Sequence, residues 1–357
     1  MAEPRSIVPE SQPRSAPPPT DRIAVVVNGN ARSVTNEVIS TLDQILLGGD
    51  LFVSRRLEEG PDLARTIINR GYGTVLTGGG DGTFTAVLTD VVREARRQGK
   101  PLPRFGFLKL GTGNALAWVV GASGAQKRGL AADIQRLRED AGSRPVRFIE
   151  VEDLMAPFAG FGVDAVVLQD YEIVKKRLMQ TTLRRVAPGL LSYAIASVTR
   201  SIPSYFFRQV PHCRVTNDGG DAYRLGPKGA IVGLPIPKGQ TIYEGPARIA
   251  AVSTIPYYGF GFRAFPYAEE RPDRMNLRIS TITPIPFVRN FPAIWRGEYE
   301  SAVYMSDYLV EAVTFELDPP TPFQIGGDAR GERTRVQAVL SPTTIRLVDF
   351  YAPPSAA

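Results

Sequence analysis

The sequence predicts an α/β domain with a doubly wound parallel sheet, followed by an antiparallel β-sandwich domain. Apolar, strand-like runs alternate with helical periodicity through the first 142 residues, which is typical of a parallel sheet covered by helices. Glycine clusters directly follow two of these runs. From about residue 143 the chain changes to short strand-like runs separated by proline and glycine turns, which favours a sandwich.

The length of 357 residues suits two domains, and we divide the chain into four parts. Residues 1–20 form a proline-rich tail, which we predict to be disordered because it has too few apolar side chains to bury. The α/β domain occupies residues 21–142 and the sandwich domain residues 143–342. A C-terminal segment, residues 343–357, completes the chain.

Composition predicts a cytoplasmic protein with an anionic partner. No stretch approaches about eighteen uninterrupted apolar residues, and the N-terminus lacks the apolar core of a signal peptide. The single cysteine, Cys213, excludes an internal disulfide, and the single histidine, His212, makes histidine-based metal sites poor candidates. A net charge of +6 suits ATP, a phospholipid surface or nucleic acid, and the sign of the charge does not choose among them.

The α/β domain begins with a β-branched run at residues 22–27, which is typical of a strand covered on both faces. A helix is predicted over 34–47, a short strand over 50–54 and a second helix over 63–70. The next strand covers residues 74–77. This alternation predicts a parallel sheet with helices on both faces.

Three glycines, Asp-Gly-Thr and a helical run follow the strand at 74–77. Such a loop presents backbone N–H groups at a helix N-terminus, where phosphate binds, and glycine lets the backbone approach the anion. A carboxylate at Asp81 makes sense beside phosphates if Mg²⁺ lies between them. The alternative is a glycine-rich turn in which Asp81 serves only as an N-cap.

A second strand-like run, residues 105–110, leads into Gly-Thr-Gly-Asn at 111–114 and another helical segment. The carboxyl ends of parallel strands share one edge of a sheet, so we expect both glycine loops and the turn at Asn28 to form a nucleotide cleft. An ordinary polar turn is the alternative at Asn28. The residues predicted to contact the nucleotide are Asn28, Asn30, Gly78, Gly79, Gly80, Asp81, Gly82, Thr83, Gly111, Thr112, Gly113 and Asn114.

Beyond a basic amphipathic helix at residues 123–141, the second half contains one helical segment, residues 171–198, among its predicted strands. A basic rim beside apolar and aromatic residues suits contact with an anionic bilayer. A helix that packs on the sandwich is the alternative. The strands are predicted at residues 230–234, 247–254, 275–282, 310–317 and 335–340.

Gly-Gly-Gly-Asp-Gly-Thr, followed by Leu-Gly-Thr-Gly-Asn, resembles the catalytic domain of the diacylglycerol kinase and sphingosine kinase superfamily. NAD kinases and phosphofructokinases share the Gly-Gly-Asp-Gly-Thr element. The resemblance extends over nearly the whole chain after about residue 20. It implies an ATP- and Mg²⁺-dependent kinase that phosphorylates the hydroxyl of a diacylglycerol-like or sphingoid lipid at the membrane surface. It also implies that residues 343–357 return to the first domain.

The same resemblance assigns the metal site. Gly-x-Gly-x-Asp-Ala at residues 160–165 is similar to a family element whose aspartate, here Asp164, joins Asp81 in a water-bridged Mg²⁺ network. The alternative is a capping aspartate in a glycine turn. The chain also departs from the family at Ala115, where many relatives carry an acidic residue.

The general base of the family lies in an Asp-Gly-Glu element, which this chain does not reproduce. Aligned without a gap, the base position falls on Gly326, and glycine cannot accept a proton. A small shift makes Asp328 the base, with Glu332 close behind. We favour Asp328; an ordinary polar turn is the alternative.

Two further hypotheses remain open on the sequence. A soluble NAD kinase-like phosphotransferase would share the first glycine loop, and a non-catalytic nucleotide- or lipid-binding regulator would explain the altered region around Asp328. The expected partners are a lipid substrate, an anionic membrane surface and a second copy of the chain. Nucleic acid is not expected, because the basic residues are spread out.

Overall fold

The computed structural model describes residues 20–31, 33–45, 50–111, 114–124, 127–139, 141–162 and 209–352. Several of the predictions fall on other residues and therefore lie outside the described part of the chain. These are the tail, the helix at 171–198 and the site residues Thr112, Gly113 and Asp164.

Strands and helices alternate in the N-terminal part, as predicted. The elements are β1 Thr20–Asn28, α1 Asn36–Ile45, β2 Asp50–Ser54, α2 Gly60–Arg70, β3 Tyr72–Gly79, α3 Asp81–Gln98, β4 Arg104–Lys109, α4 Ala115–Val120 and α5 Lys127–Arg138. The four strands pair in parallel in the order β4-β3-β1-β2. The predicted parallel sheet is confirmed. Every residue of β3 is buried, which explains why its sequence contains no charged residue and no alternation of apolar and charged positions.

The second part consists mainly of antiparallel strands. They are β5 Ser143–Val151, β6 Leu154–Ala156, β7 Phe158–Gly162, β8 His212–Asn217, β9 Ala222–Leu225, β10 Ile231–Ile236, β11 Thr241–Pro246, β12 Ile249–Ser253, β13 Met275–Ser280, β14 Met305–Val310, β15 Ala312–Ile325 and β16 Asp328–Val348. The described strands join in one sheet, whose main path runs β10-β9-β14-β13-β12-β7-β15-β16-β4-β3-β1-β2. The fold is therefore mixed α/β, with parallel N-terminal strands followed by antiparallel strands.

Strand β16 connects the two parts of the sheet. Near its end, Leu347 pairs in parallel with Phe105 of β4, and the same stretch pairs antiparallel with β5. Leu347 and Val348 are fully buried in the hydrophobic core of the N-terminal part. The last described strand therefore completes the core that the first strands begin.

The buried hydrophobic residues of the described chain form two cores, and β16 contributes to both. Phe84 of α3 occupies the first, with its ring centroid 5.4 Å from that of Phe148 on β5. Phe161 of β7 occupies the second, where it contacts Phe323 of β15 at 4.7 Å between ring centroids. Burial of aromatic rings on this scale is a main source of folding stability.

One helix in the second part was not predicted. Residues Pro284–Trp295 form helix α6, which begins with proline at its first position. Proline is favoured there because the missing N–H would have no intrahelical partner and its φ is already helical. Three prolines within these twelve residues hide the helical pattern in the sequence. Among the described residues, no helix is long and apolar enough to cross a membrane.

Candidate active site

The two glycine loops lie against each other at the carboxyl ends of β3 and β4. Gly79 pairs with Lys109 at the end of these neighbouring strands. A Cβ on Gly111 would lie 2.6 Å from the backbone nitrogen of Gly80, so the second loop has no room for a side chain at this position. The predicted meeting of the two loops at one edge is therefore present in the structure.

The first glycine loop is shaped by close packing against its neighbours. A Cβ on Gly78 would lie 2.8 Å from side-chain atoms of both Leu110 and Val27. Gly80 has φ of −100°, which other residues adopt freely. Close contact with Leu110 and Val27 therefore requires glycine at Gly78, whereas the backbone angle of Gly80 does not require glycine.

Asn28 links the end of β1 to the first glycine loop. Its Nδ2 donates to Thr83 Oγ1 at 3.2 Å, and its Oδ1 accepts from the backbone N–H of Asn30 at 2.9 Å. The side chain of Asn30 turns instead to the carbonyl of Arg55 at 2.7 Å, beyond the end of β2. The structure thus places Asn28 at the first glycine loop. The side-chain amide of Asn30 instead binds the turn that follows β2.

Asp81 ties the two glycine loops together through its side chain. Its Oδ2 accepts from the N–H of Ala115 at 2.8 Å, and its Oδ1 accepts from the N–H of Leu116 at 3.1 Å. These are the first two residues of α4, so Asp81 caps α4. Asp81 is not the N-cap of its own helix, because that position is Gly80, which has no side chain.

The carboxyl of Asp81 has a pKa above the usual value for an aspartate. Burial raises its pKa to about 6, although the two N–H donors from Ala115 and Leu116 act in the opposite direction. The negative charge of Asp328 raises it further, so the two carboxylates interact across the site.

Asn114 holds the second loop and leaves one polar atom unused. The residue is left-handed, with φ of 47°, and its Nδ2 donates to the Gly111 carbonyl at 2.5 Å. Its Oδ1 is buried and has no hydrogen-bond partner in the part of the chain that the structure describes. A buried acceptor without a donor is unfavourable, so a ligand that donates a hydrogen bond here would gain affinity.

A tight hairpin turn settles the geometry around Asp328. Gly326 and Gly327 form the two-residue turn between β15 and β16, with φ of +56° and +84°, and Ile325 pairs with Asp328. These angles match a type I′ turn, which favours glycine at both positions. Gly327 also donates its N–H to Gln324 Oε1 at 2.9 Å.

The turn places the carboxylate of Asp328 against the first turn of α3. A Cβ on Gly82 would lie 2.5 Å from Asp328 Oδ2. The Asp328 side chain is 55% exposed, and Arg330 Nη2 lies 3.7 Å from Oδ2. Of the two alignments considered for the base, the structure puts Asp328 at the helix N-terminus, whereas Gly326 is buried beside Thr85. Glu332 lies farther along β16, exposed and opposite Pro322.

The donor set fits a magnesium ion. Asp81 supplies a carboxylate at the N-terminus of α3, and Mg²⁺ commonly takes one or two carboxylates together with water and phosphate oxygens. No group of three or more His, Cys, Asp and Glu side chains that could form a protein-only metal cage occurs among the residues described.

Sequence reasoning gave Lys109 no role. It is the last residue of β4, and its Nζ lies 5.1 Å from the ring centroid of Trp118 on α4. Its position just before the second glycine loop brings a positive charge to the edge where phosphates are expected. A basic residue between a strand and a glycine loop was the signal that could have found it.

These features define a mixed α/β protein with two glycine loops at the carboxyl edge of a parallel sheet. Residues 22–144 match the model of the diacylglycerol kinase catalytic domain family. The diacylglycerol kinase-like resemblance predicted from the two glycine motifs is therefore confirmed for this part of the chain.

Solved structures from Bacillus anthracis str. Sterne share the fold. Two are of proteins proposed to be diacylglycerol kinases, with TM-scores of 0.63 and 0.64 and sequence identities of 11% and 12%. A third, described as diacylglycerol kinases, has a TM-score of 0.59 and 12% identity. Each alignment covers 92% of this chain and 97% of the other. A search among curated proteins found no match.

Proposed function

We propose that this protein is an ATP- and Mg²⁺-dependent lipid kinase that phosphorylates the hydroxyl of a diacylglycerol-like or sphingoid lipid at the membrane surface. The observation that carries the proposal is the carboxylate of Asp328 against Gly82, beside Asp81 and next to the two glycine loops. The catalytic-domain match over residues 22–144 supports it.

In this proposal the two loops hold the nucleotide. The backbone of residues 78–83 faces the phosphates, where the N-terminus of α3 favours negative charge. Asn28 orients the Thr83 hydroxyl, and the unpaired Oδ1 of Asn114 accepts a hydrogen bond from the nucleotide.

Asp81, with Asp164 as its predicted partner, would hold Mg²⁺. When bound, the ion neutralises charge on the phosphate oxygens. The fixed contacts of Asp81 to α4 keep its carboxylate in place, so it needs little reorganisation to serve as a ligand.

Asp328 acts as the general base of the proposed reaction. It accepts the proton of the lipid hydroxyl, whose oxygen forms a bond to the γ-phosphorus while the bond from that phosphorus to the β–γ bridging oxygen breaks. ADP leaves with that oxygen. The half-exposed position of Asp328 suits this role, because an acceptor hydroxyl can reach an accessible carboxylate.

Membrane association and cytoplasmic location belong to the proposal as well. The basic, apolar segment at residues 171–198, on which that expectation first rested, lies outside the described residues. A second copy of the chain stays a predicted partner.

The test is transfer of labelled γ-phosphate from ATP with Mg²⁺. Acceptors are diacylglycerol, monoacylglycerol, ceramide and sphingosine in mixed micelles, together with NAD. We expect labelled lipid from the wild type and a loss on the order of 10²- to 10⁴-fold in Asp328→Asn, with ATP binding retained. Asp221→Asn removes an exposed carboxylate elsewhere and serves as the matched control.

Other outcomes would change the assignment of the general base or of the function. Equal labelling by Asp328→Asn and the wild type would place the base elsewhere, and loss in Glu332→Gln alone would move it to Glu332. Labelled NADP in place of labelled lipid would favour the NAD kinase-like alternative. ATP binding without transfer to any acceptor would favour the non-catalytic regulator.

A further inference from the structure

Helix α6 exposes an apolar face to solvent. Ile285, Val288 and Phe291 are 77%, 68% and 41% exposed. Their spacing places them on one side of the helix. Arg289 is the only charged residue among the twelve residues of α6, and it is exposed as well. Large apolar side chains grouped in this way mark an interaction surface.

The C-terminal end of α6 is anchored to the protein. Ile294 is only 4% exposed, and the ring of Trp295 stacks on Phe262 with 5.4 Å between centroids. Phe291 contacts Trp295 at 5.6 Å between centroids, so the exposed apolar face continues into the anchored end of the helix. The helix is therefore a fixed part of the fold.

Contacts lead from this anchor to the candidate active site. Phe262 stacks with Tyr258 at 6.5 Å between centroids, and the Tyr258 hydroxyl accepts from Gln324 Nε2 at 2.7 Å. Gln324 is fully buried and also accepts the N–H of Gly327, the residue before Asp328. The exposed helix and the proposed base are thus connected through packed rings and two hydrogen bonds.

We infer that α6 lies in the surface of an anionic bilayer, with Ile285, Val288 and Phe291 among the acyl chains and Arg289 at the headgroups. The inference rests on the proposed function, because a lipid acceptor stays in its bilayer and the site must come to it. Twelve residues of helix span about 18 Å, which is too short to cross a membrane and suits a helix lying in its plane.

The charge pattern favours a bilayer as the occupant. Helix α6 has no acidic residue, and the chain carries a net charge of +6. A basic residue on an apolar helix face matches the negative surface of a membrane, where each such residue adds attraction.

The test is binding to vesicles without ATP, measured by co-sedimentation. Vesicles contain phosphatidylcholine alone or phosphatidylcholine with phosphatidylglycerol. We expect the double variant Ile285→Asp, Val288→Asp to lose binding by at least about tenfold, because both apolar contacts are removed. Arg289→Glu should weaken binding to the anionic vesicles only. Leu57→Asp alters an equally exposed apolar residue beyond β2 and should leave binding unchanged.

Unchanged vesicle binding by the double variant would overturn the inference, and so would a wild type that binds no vesicles. A change of oligomeric state on gel filtration with vesicle binding intact would also overturn it, in favour of an interface between copies. Circular dichroism checks that the double variant folds, and Arg289→Glu tests the same face with a surface change only.

Phosphoryl transfer to dispersed dioctanoylglycerol separates this inference from the proposed function. Transfer that persists in the double variant, while vesicle binding is lost, supports a docking role for α6. A wild type that transfers no phosphate overturns the proposed lipid kinase, whereas loss of vesicle binding in the double variant would still support α6 as the docking element.

Discussion

At the scale of single residues, the candidate site depends on the fact that residue 82 is a glycine. Gly82 lies in the first turn of α3, and the carboxylate of Asp328 occupies the space where a Cβ would be. Asp81, one residue earlier, is held by α4, and its pKa is raised in part by Asp328. The identity of residue 82 therefore sets how closely the two carboxylates approach each other.

Gly82→Ala should lower phosphoryl transfer by roughly ten- to a hundredfold, because a methyl group displaces Asp328 and misplacement by about 1 Å has effects of that size. Folding stability should not fall, since alanine is a better helix former than glycine by about 1 kcal/mol. Transfer assays and urea unfolding of the same variant measure both effects.

Gly124→Ala is the matched control, because a Cβ there meets no atom within 4 Å. The double variant with Asp328→Asn completes a cycle in which Gly82→Ala should cause no further loss. Additional loss in the double variant would mean that Gly82 acts on the nucleotide and not through Asp328.

At the scale of elements, the hairpin between β15 and β16 decides which residue faces α3. Its two-residue turn fixes the register, so Ile325 pairs with Asp328 and both glycines lie in the turn itself. Gly326 is buried, and a Cβ there would lie 2.5 Å from Thr85 Oγ1 on α3. Gly327 has a positive φ but no atom near its missing Cβ.

The two turn glycines should therefore respond differently to alanine. Gly327→Ala introduces only left-handed strain, which costs about 1–2 kcal/mol. Gly326→Ala adds a steric clash with Thr85, for which overpacking suggests roughly 1–3 kcal/mol more. Urea unfolding measures both free energies. Equal destabilisation would show that Thr85 yields without effect and that backbone strain alone governs the turn.

At the scale of the whole molecule, β16 makes one sheet of the two parts. Its first residues form the hairpin at the candidate site, and its last residues pair with β4 and β5. Leu347 is fully buried near the end, whereas its neighbour Arg346 is exposed. Destabilisation at this end should reach the antiparallel part through the continuous sheet.

Leu347→Ala should lower the free energy of unfolding by about 2–5 kcal/mol, because it leaves a cavity in the core. Arg346→Ala, on the exposed side of the same strand, should change it by no more than about 0.5 kcal/mol. Chemical unfolding followed by circular dichroism measures both.

Chemical labelling of the single thiol, Cys213, shows whether Leu347→Ala also destabilises the antiparallel part. Burial raises its pKa to about 12, well above that of a free thiol, so at pH 8 the native chain has far less reactive thiolate than the unfolded chain. Leu347→Ala should speed labelling of Cys213 by roughly 30-fold or more, because the unfolded population rises. Unchanged labelling with reduced stability would show that the two parts unfold independently.

Much of the N-terminal fold follows from local patterns. Apolar β-branched runs predict the parallel strands, and glycine clusters after two of them predict loops at the same edge, where Gly80 and Gly111 lie in contact. Helix α6 was missed because its three prolines oppose helix formation, and only their position in the first turn and near the end makes the helix tolerable.

The sequence by itself determined the order of elements in the N-terminal part, the two glycine motifs and the resemblance of residues 22–144 to a kinase catalytic domain, because these depend on periodicity and on residues close together in the chain. Only the tertiary structure decided that Asp81 caps α4 and that Asp328, and not Gly326, lies on Gly82. Those contacts join segments far apart in the chain. Their geometry is set by strand register and hairpin shape, which no local pattern specifies.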